Sequence, residues 1–432
     1  MKISEITINK YKSIKKTFNL TRLGKIHIFI GSNNVGKTNI LNAIEQLYNS
    51  QNNKIIDKAA DIKISFEVKS KYGKILAIQQ KLNKQILKLD GKNVLKGKAA
   101  DILNKHIIRL CASKKINMKK FYKDYQNFKT NFPEIFNNFY KTLGRYIPKI
   151  KLNKSDQNRD AMGKINVSFE KLGDGFQQVF IILLYLYHPQ YTILLLEEPE
   201  IHLHPALQKK LLKILETENT YNQVFITTHS PIFIHTQNLH RLFRVTKEDN
   251  STIVYSPRLT GHRINYARLK QELNSDNCEM FFADKVLLVE GPSDHILMRS
   301  LIDRFYKGEN NIKVIQTYGK SNIDIYTDLL DVFNIPYVVL LDRDALYDTS
   351  IKLLQSKIRE KFTEPESTLI EVLKRYYIYI FPNGSIERNY PKKYQGKRKH
   401  KPQNAMYAAS HITEAEFNSK LMSNIKEVVD NL

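Results

Sequence analysis

The chain has 432 residues, 42% of them hydrophobic, enough for two or three domains with their own cores; a peptide, a repeat rod and a disordered tail are excluded. Lys and Arg number 68 against 43 Asp and Glu, and the net charge of +25 favours a polyanionic partner, unless lysine merely coats the solvated faces. Two cysteines, Cys111 and Cys278, are too few for a disulfide framework or a four-Cys zinc site, and the longest apolar run, Val179 to Tyr187, covers only about half a bilayer, so a cytoplasmic protein without membrane segments is expected.

The opening residues alternate as a strand. Lys25 to Ile30 is a second apolar strand, and a glycine-rich turn leads into a helix with Ile40, Leu41, Ile44 and Leu47 on one face. Ile62, Ile64, Phe66 and Val68 alternate, predicting short strands over 63–90 with a turn at Tyr72-Gly73. From about 92 to 160 Lys and Asn abound, and Phe121, Tyr122, Tyr125, Phe128, Phe132, Phe136 and Tyr140 recur at near-helical spacing; this reads as a basic helical insertion, its aromatics serving as core or as a base-stacking surface. Buried strands at Ile193–Leu196 and Val224–Ile226, separated by a helix with Leu207, Leu211 and Leu215, predict a mainly parallel α/β sheet. A polar linker is expected over 259–278. Three further apolar runs, Lys285–Val289, Tyr337–Leu341 and Tyr377–Phe381, predict a small parallel-sheet domain over 279–412, and a packing helix is expected from Thr413.

Gly31-Ser32-Asn33-Asn34-Val35-Gly36-Lys37-Thr38 matches G-x-x-x-x-G-K-[ST] between a predicted strand and helix. Glycines let backbone N–H groups face β- and γ-phosphates, Lys37 adds a point charge, and Thr38 offers a hydroxyl to Mg²⁺. Gly31, Asn33, Asn34, Gly36, Lys37, Thr38 and Asn39 are the candidate ATP contacts. Glu197 and Glu198 stand at the tip of a buried strand, Glu197 to reach Mg²⁺ and Glu198 to polarise water, and His229 ends the next strand, where it could sense the γ-phosphate. A second acidic group follows two later strands: Glu290 and Asp294 in Val289-Glu290-Gly291-Pro292-Ser293-Asp294, and Asp342 and Asp344 in Leu341-Asp342-Arg343-Asp344. Residues i and i+2 of a strand share a face, so Asp342 and Asp344 are expected to converge with Glu290 and to need divalent cations to relieve their repulsion. Phosphoester cleavage with Mg²⁺ or Mn²⁺ is the chemistry such a group supports.

Tyr11-Lys12-Ser13-Ile14, the phosphate loop, Leu172-Gly173-Asp174-Gly175-Phe176-Gln177-Gln178, Glu197-Glu198-Pro199-Glu200-Ile201-His202-Leu203-His204-Pro205 and Thr228-His229-Ser230-Pro231 together resemble the ABC-type ATPase heads of the RecF, SMC and OLD families. The resemblance implies a head over 1–258 that dimerises or assembles further, with Gly173 and Gly175 closing on the ATP of a partner head. Gly173 stands where serine is usual and Glu197 where aspartate is usual, which implies slow hydrolysis or a switch; Gln79 or Gln80 is the candidate Q-loop glutamine. The second acidic group resembles a TOPRIM domain, the catalytic fold of topoisomerases, primases and OLD-family nucleases. It implies Glu290 as base or metal ligand, Asp342 and Asp344 as ligands, Asp294 as supporting acid, Glu387 as an additional acid, and Lys401, with Lys397 as alternative, assisting the scissile phosphate. The combination resembles the OLD family and implies an ATP-gated, metal-dependent DNA endonuclease of phage defence, with a possible accessory protein or nucleic-acid partner. A TOPRIM ribonuclease acting on tRNA or other RNA, and a non-cleaving RecF/SMC-like repair ATPase, are the alternatives.

Overall fold

A computed structural model describes residues 1–21, 23–46, 61–68, 74–81, 84–89, 92–93, 105–114, 117–146, 169, 172–218, 222–257, 267, 269, 273–274, 276, 277–359, 363–396 and 400–432. The chain forms two compact units, one of Met1–Ile234 with Arg241–Val254, the other of His235–His240 with Tyr255–Leu432. Most of the expected linker, and Tyr72-Gly73, lie outside the described residues.

The first unit holds β1 (Lys2–Asn9), β2 (Phe18–Thr21), β3 (Ile26–Ile30), β4 (Asp61–Val68), β5 (Lys74–Lys81), β6 (Lys84–Leu89), β7 (Lys92–Asn93), β8 (Ile107–Cys111), β9 (Ile193–Glu197), β10 (Gln223–Thr228), β11 (Leu242–Glu248) and β12 (Ser251–Tyr255). They make an antiparallel sheet, β2-β1-β4-β5-β6-β7, and a largely parallel one, β12-β11-β3-β10-β9-β8. Helix α1 (Lys37–Gln46) shares one apolar core with both: its Ile40, Leu41 and Ile44 join Ile6, Ile64 and Phe66 of the first sheet and Phe29, Leu195 and Phe225 of the second. Thr228 pairs with Ile30 and Thr227 with Glu197, so β3, β10 and β9 end side by side.

The interval 92–160, expected to be a helical insertion, departs from that expectation. β8 lies inside it and pairs in parallel with β9 as an integral strand of the central sheet. Helices α2 (Met118–Asn131) and α3 (Pro133–Tyr146) do follow, and they pack on α4 (Asp174–Tyr187). Phe121, Tyr125 and Phe128 are fully buried, and Phe139 meets Phe180 edge-on with centroids 5.4 Å apart. Each such ring contributes roughly 1.5–3 kcal/mol by burial, so the aromatic stripe is core. α5 (Pro205–Thr217) links β9 to β10.

Among the described residues the second unit has four strands where three are expected: β13 (Lys285–Val289), β14 (Ile312–Gln316), β15 (Tyr337–Leu341) and β16 (Ile378–Ile380), all parallel in the order β14-β13-β15-β16. Its helices are α6 (Pro292–Phe305), α7 (Ile323–Val332), α8 (Lys352–Ile358), α9 (Glu366–Lys374), α10 (Lys401–His411), α11 (Glu414–Phe417) and α12 (Ser423–Asp430). Ala405, Ala408 and Ala409 of α10 join the core of α6, where Arg304 donates to the Ala409 carbonyl at 2.6 Å, a cation at a helix C-terminus. The expected helix from Thr413 is two short ones. A Thr413–Glu416 capping box starts α11, and a 3₁₀ turn over Lys420–Met422 separates it from α12.

Candidate functional site

In the first unit, Gly31 and Gly36 adopt φ of +149° and +106°, and a Cβ would lie 2.2 Å from the Val245 carbonyl oxygen at the first and 2.2 Å from Thr252 Oγ1 at the second. Only glycine fits this close approach. The Tyr11–Ile14 segment supports the loop from outside. Thr252 Oγ1 donates to Val35 O and shares a hydrogen bond with Ser13 Oγ, and Asn39 Nδ2 donates to the same Ser13 oxygen, each at 2.7 Å. Lys37 donates to the Gly31 and Ser32 carbonyls at 3.0 and 2.8 Å, and burial pulls its ammonium down to about 8 against the opposing pull of Glu198 and Glu200. Asn33 and Asn34 are exposed at the loop tip.

The neighbouring strand ends bring the other expected residues to this loop. Thr38 Oγ1 donates to Glu197 Oε1 at 2.8 Å, joining the two groups expected to share Mg²⁺. His229 Nδ1 lies 3.4 Å from Lys37 Nζ, and its Nε2 lies 3.1 Å from Glu198 Oε1. Burial, and then Lys37, lower the His229 pKa, while its backbone N–H donates to Glu200 at 2.7 Å. Glu198 holds a φ of +48°, which turns its carboxylate off the strand line.

Arg109 was not anticipated. From β8 it donates to Glu197 Oε2 at 2.7 Å and to Asn42 Oδ1 at 2.7 Å, and it also pairs with Glu45. Burial alone would raise the Glu197 carboxyl; Arg109 and Thr38 outweigh it and hold that group below the usual range. Gly173 caps α4 with open space around it, and Gly175 packs so that a Cβ would meet the His202 carbonyl oxygen at 2.6 Å. Gln79 and Gln80 lie on β5 of the antiparallel sheet; the segment that pairs beside Glu197 is the end of β8, which carries no glutamine.

In the second unit the acidic residues follow adjacent parallel strands. Val289 pairs with Leu340, so Glu290 and Asp342 leave the sheet from neighbouring C-terminal ends, about 4.8 Å apart in strand spacing. Glu290, Asp342 and Asp344 each offer an oxygen within 4.8 Å of the others. The convergence of Asp342 and Asp344 does not come from a shared strand face. β15 stops at Leu341, Asp342 caps a 3₁₀ helix over Arg343–Tyr347, and Asp344 sits in its first turn. Asp294 and Glu387 lie outside this triplet. The Asp294 carboxylate accepts from the Gly291 N–H at 2.9 Å, and Glu387, on the 3₁₀ turn after β16, pairs with Lys401 at 3.4 Å. Lys397 lies outside the described residues.

Burial, reinforced by Asp294, Glu290, Glu387 and Asp344, pushes the Asp342 carboxyl up to about 7; burial does the same to Asp294. Among the described residues, Glu290 Oε2 is buried without a hydrogen-bond partner. Convergent, crowded carboxylates with an orphaned oxygen fit a hard divalent cation. A second unanticipated residue borders them: Lys320 lies 2.6 Å from Asp344 Oδ2 and 3.8 Å from Asp348 Oδ2. Its loop is pinned where Gly319 donates to the Glu290 carbonyl at 3.0 Å and Thr317 to that of Val289 at 2.9 Å.

No helix among the described residues is long and apolar enough to cross a membrane. Residues 115–234 match the family described as AAA domain, putative AbiEii toxin, Type IV TA system, and residues 281–344 match the overcoming lysogenization defect protein-like TOPRIM domain. The chain is similar to the endonuclease GajA of Bacillus cereus strain VD045, 31% identical over 40% of this chain and 31% of the relative. It is also similar to the OLD nuclease of Thermus scotoductus, 26% identical over 41% of this chain and 36% of that one. The match thus spans about a third of the length of these relatives. A solved SMC head domain from Thermotoga maritima covers 59% of this chain and 99% of its own at 14% identity and a TM-score of 0.42. The chain thus carries a match to an ATPase domain ahead of a match to an OLD-like TOPRIM domain, alongside its similarity to the GajA and OLD nucleases.

Proposed function

We propose that the protein is an ATP-gated, divalent-metal-dependent DNA endonuclease acting in defence against phage. The observation that carries this reading is the Glu290–Asp342–Asp344 triplet at the ends of two adjacent parallel strands. These three residues would hold the ion, with Asp294 and Glu387 as the acids behind it. A divalent ion bound there supplies Lewis-acid stabilisation of charge on the phosphate and on the leaving oxygen. Glu290 takes a proton from water as its oxygen bonds to phosphorus; the bond from phosphorus to the sugar oxygen breaks, and that oxygen takes a proton from solvent. Lys401 would face the scissile phosphate from the start of α10. The +25 charge supports a polyanionic substrate.

In the head, Lys37 and the phosphate loop would hold the ATP phosphates, Thr38 and Glu197 its Mg²⁺, and Glu198 the attacking water, with His229 beside it. Gly173 and Gly175 would meet the nucleotide of a partner head, so that ATP binding joins two copies and its hydrolysis resets the nuclease. Plasmid DNA and total RNA, each incubated with Mn²⁺ with and without ATP, test the reading on wild type, Asp342→Ala and Lys37→Ala. Asp342→Ala is expected to lose at least about 1,000-fold in DNA cleavage, and Lys37→Ala to lose only the response to ATP. Equal cutting by wild type and Asp342→Ala removes the nuclease assignment, and loss of RNA with intact plasmid reassigns the substrate.

A further inference from the structure

The triplet does not stand alone as an anionic site, because Lys320 already lies 2.6 Å from one of its three carboxylates. The contact is built into the fold. β14 ends at Gln316, and the next residues turn back over the end of β13, with Tyr318 at φ +57° and Gly319 at φ +118°. Gly319 N–H holds the Glu290 carbonyl, Thr317 holds that of Val289, and Asn322 Nδ2 closes the turn on the Thr317 carbonyl at 3.0 Å. The lysine therefore projects from a loop tied to the backbone of Glu290 itself. Its side chain is only 24% exposed, whereas its partner Asp344 is 70% exposed, so the lysine is the more enclosed member of the pair.

We infer that Lys320 is the internal counter-cation of this centre, neutralising Asp344 in the absence of metal and competing with the divalent ion for that carboxylate. An ammonium and a divalent cation on neighbouring oxygens repel, so the ion must share or displace the lysine. Lys320 thereby sets the concentration of divalent metal at which the centre loads, and it keeps the Arg343–Tyr347 turn in place before loading. This deepens the proposed nuclease reading, since it concerns the same carboxylates.

Titration of the nucleotide-free full chain with Mn²⁺, followed by the electron paramagnetic resonance of the free ion, tests it without reference to cleavage. Asp342→Asn supplies the background from any other site. Lys320→Met is expected to bind Mn²⁺ about tenfold more tightly than wild type, while Lys320→Arg, which keeps the charge, stays within about twofold of wild type. The rise in melting temperature on adding Mn²⁺ should be larger for Lys320→Met than for wild type, which also shows that the variant is folded. Equal or weaker binding by Lys320→Met, or tightening by Lys320→Arg as large as that by Lys320→Met, overturns the inference. Absence of wild-type Mn²⁺ binding above the Asp342→Asn background would instead overturn the nuclease reading with it, whereas normal wild-type binding and an unaltered Lys320→Met would sink the inference alone.

Discussion

The head and the TOPRIM unit place carboxylates in the same topological position, at the C-terminal ends of parallel strands, yet treat their charge in opposite ways. Glu197 is enclosed by a guanidinium and a hydroxyl and held below its ordinary pKa. Asp342 is surrounded by four other acids and pushed up to about 7. The first arrangement is neutralised from within and needs only positioning relative to a nucleotide. The second keeps repulsion around Asp342 that Lys320 relieves only at Asp344, and a divalent cation would relieve the rest.

The sharpest way to break this contrast is to remove the internal cation from the head. Arg109→Met leaves Glu197 and Glu45 without their shared partner in a site where the arginine side chain is 9% exposed, and should cost about 3–5 kcal/mol in denaturant unfolding. A loss below 1 kcal/mol would show that the head carboxylates do not depend on it. Nucleotide binding to the folded variant should weaken, while Mn²⁺ binding in the TOPRIM unit stays unchanged.

A smaller effect, of opposite kind, is expected from pH. Because Asp294 and Asp342 are raised to about 7 in the folded chain and titrate near 4 when unfolded, the folded state binds more protons between those values. These groups therefore add stability as pH falls from 8 to about 5 and withdraw it as pH rises through 7. In metal-free buffer, Asp342→Asn should raise the melting temperature at pH 8 by about 2–5 °C and at pH 5 by less. Saturating Mn²⁺ should erase the gain by stabilising only the wild type. A gain that is the same at both pH values would mean that Asp342 is not strained by its neighbours.

The smallest effect concerns the support of the phosphate loop. Ser13→Ala removes a hydroxyl that is hydrogen-bonded to both Thr252 and Asn39, and should cost about 1 kcal/mol while weakening ATP binding severalfold. No change in ATP affinity would reduce the Tyr11–Ile14 segment to a packing element.

The residues that the sequence made legible share one trait. Glu197, Glu290 and Asp342 come immediately after an uninterrupted apolar run, and Lys37 and His229 follow one within a few residues; such a run marks both a buried strand and its end. Arg109 and Lys320 escaped notice because their strands carry polar residues. β8 hides inside a Lys- and Asn-rich stretch with the arginine in its middle, and β14 is an edge strand, Ile312-Lys313-Val314-Ile315-Gln316, whose Lys313 pairs with Asp276 and Glu279. Without those strands in view, neither side chain could be placed at a site. The pairing of Asp342 with Asp344 was anticipated for the wrong reason, since a 3₁₀ turn rather than a strand face brings them together. The second, antiparallel sheet was visible only as short alternating runs, because its partners are set by hydrogen bonding between distant segments such as β1 and β4.

The left-handed backbone of Glu198 sets stability against chemistry at a single residue. A side chain other than glycine held at φ +48° costs roughly 1–2 kcal/mol, and here the cost falls on the residue proposed to activate water. Replacement by glycine would relax the chain while removing the carboxylate proposed as the hydrolytic base, so a gain in stability at this position would come at the expense of the proposed turnover.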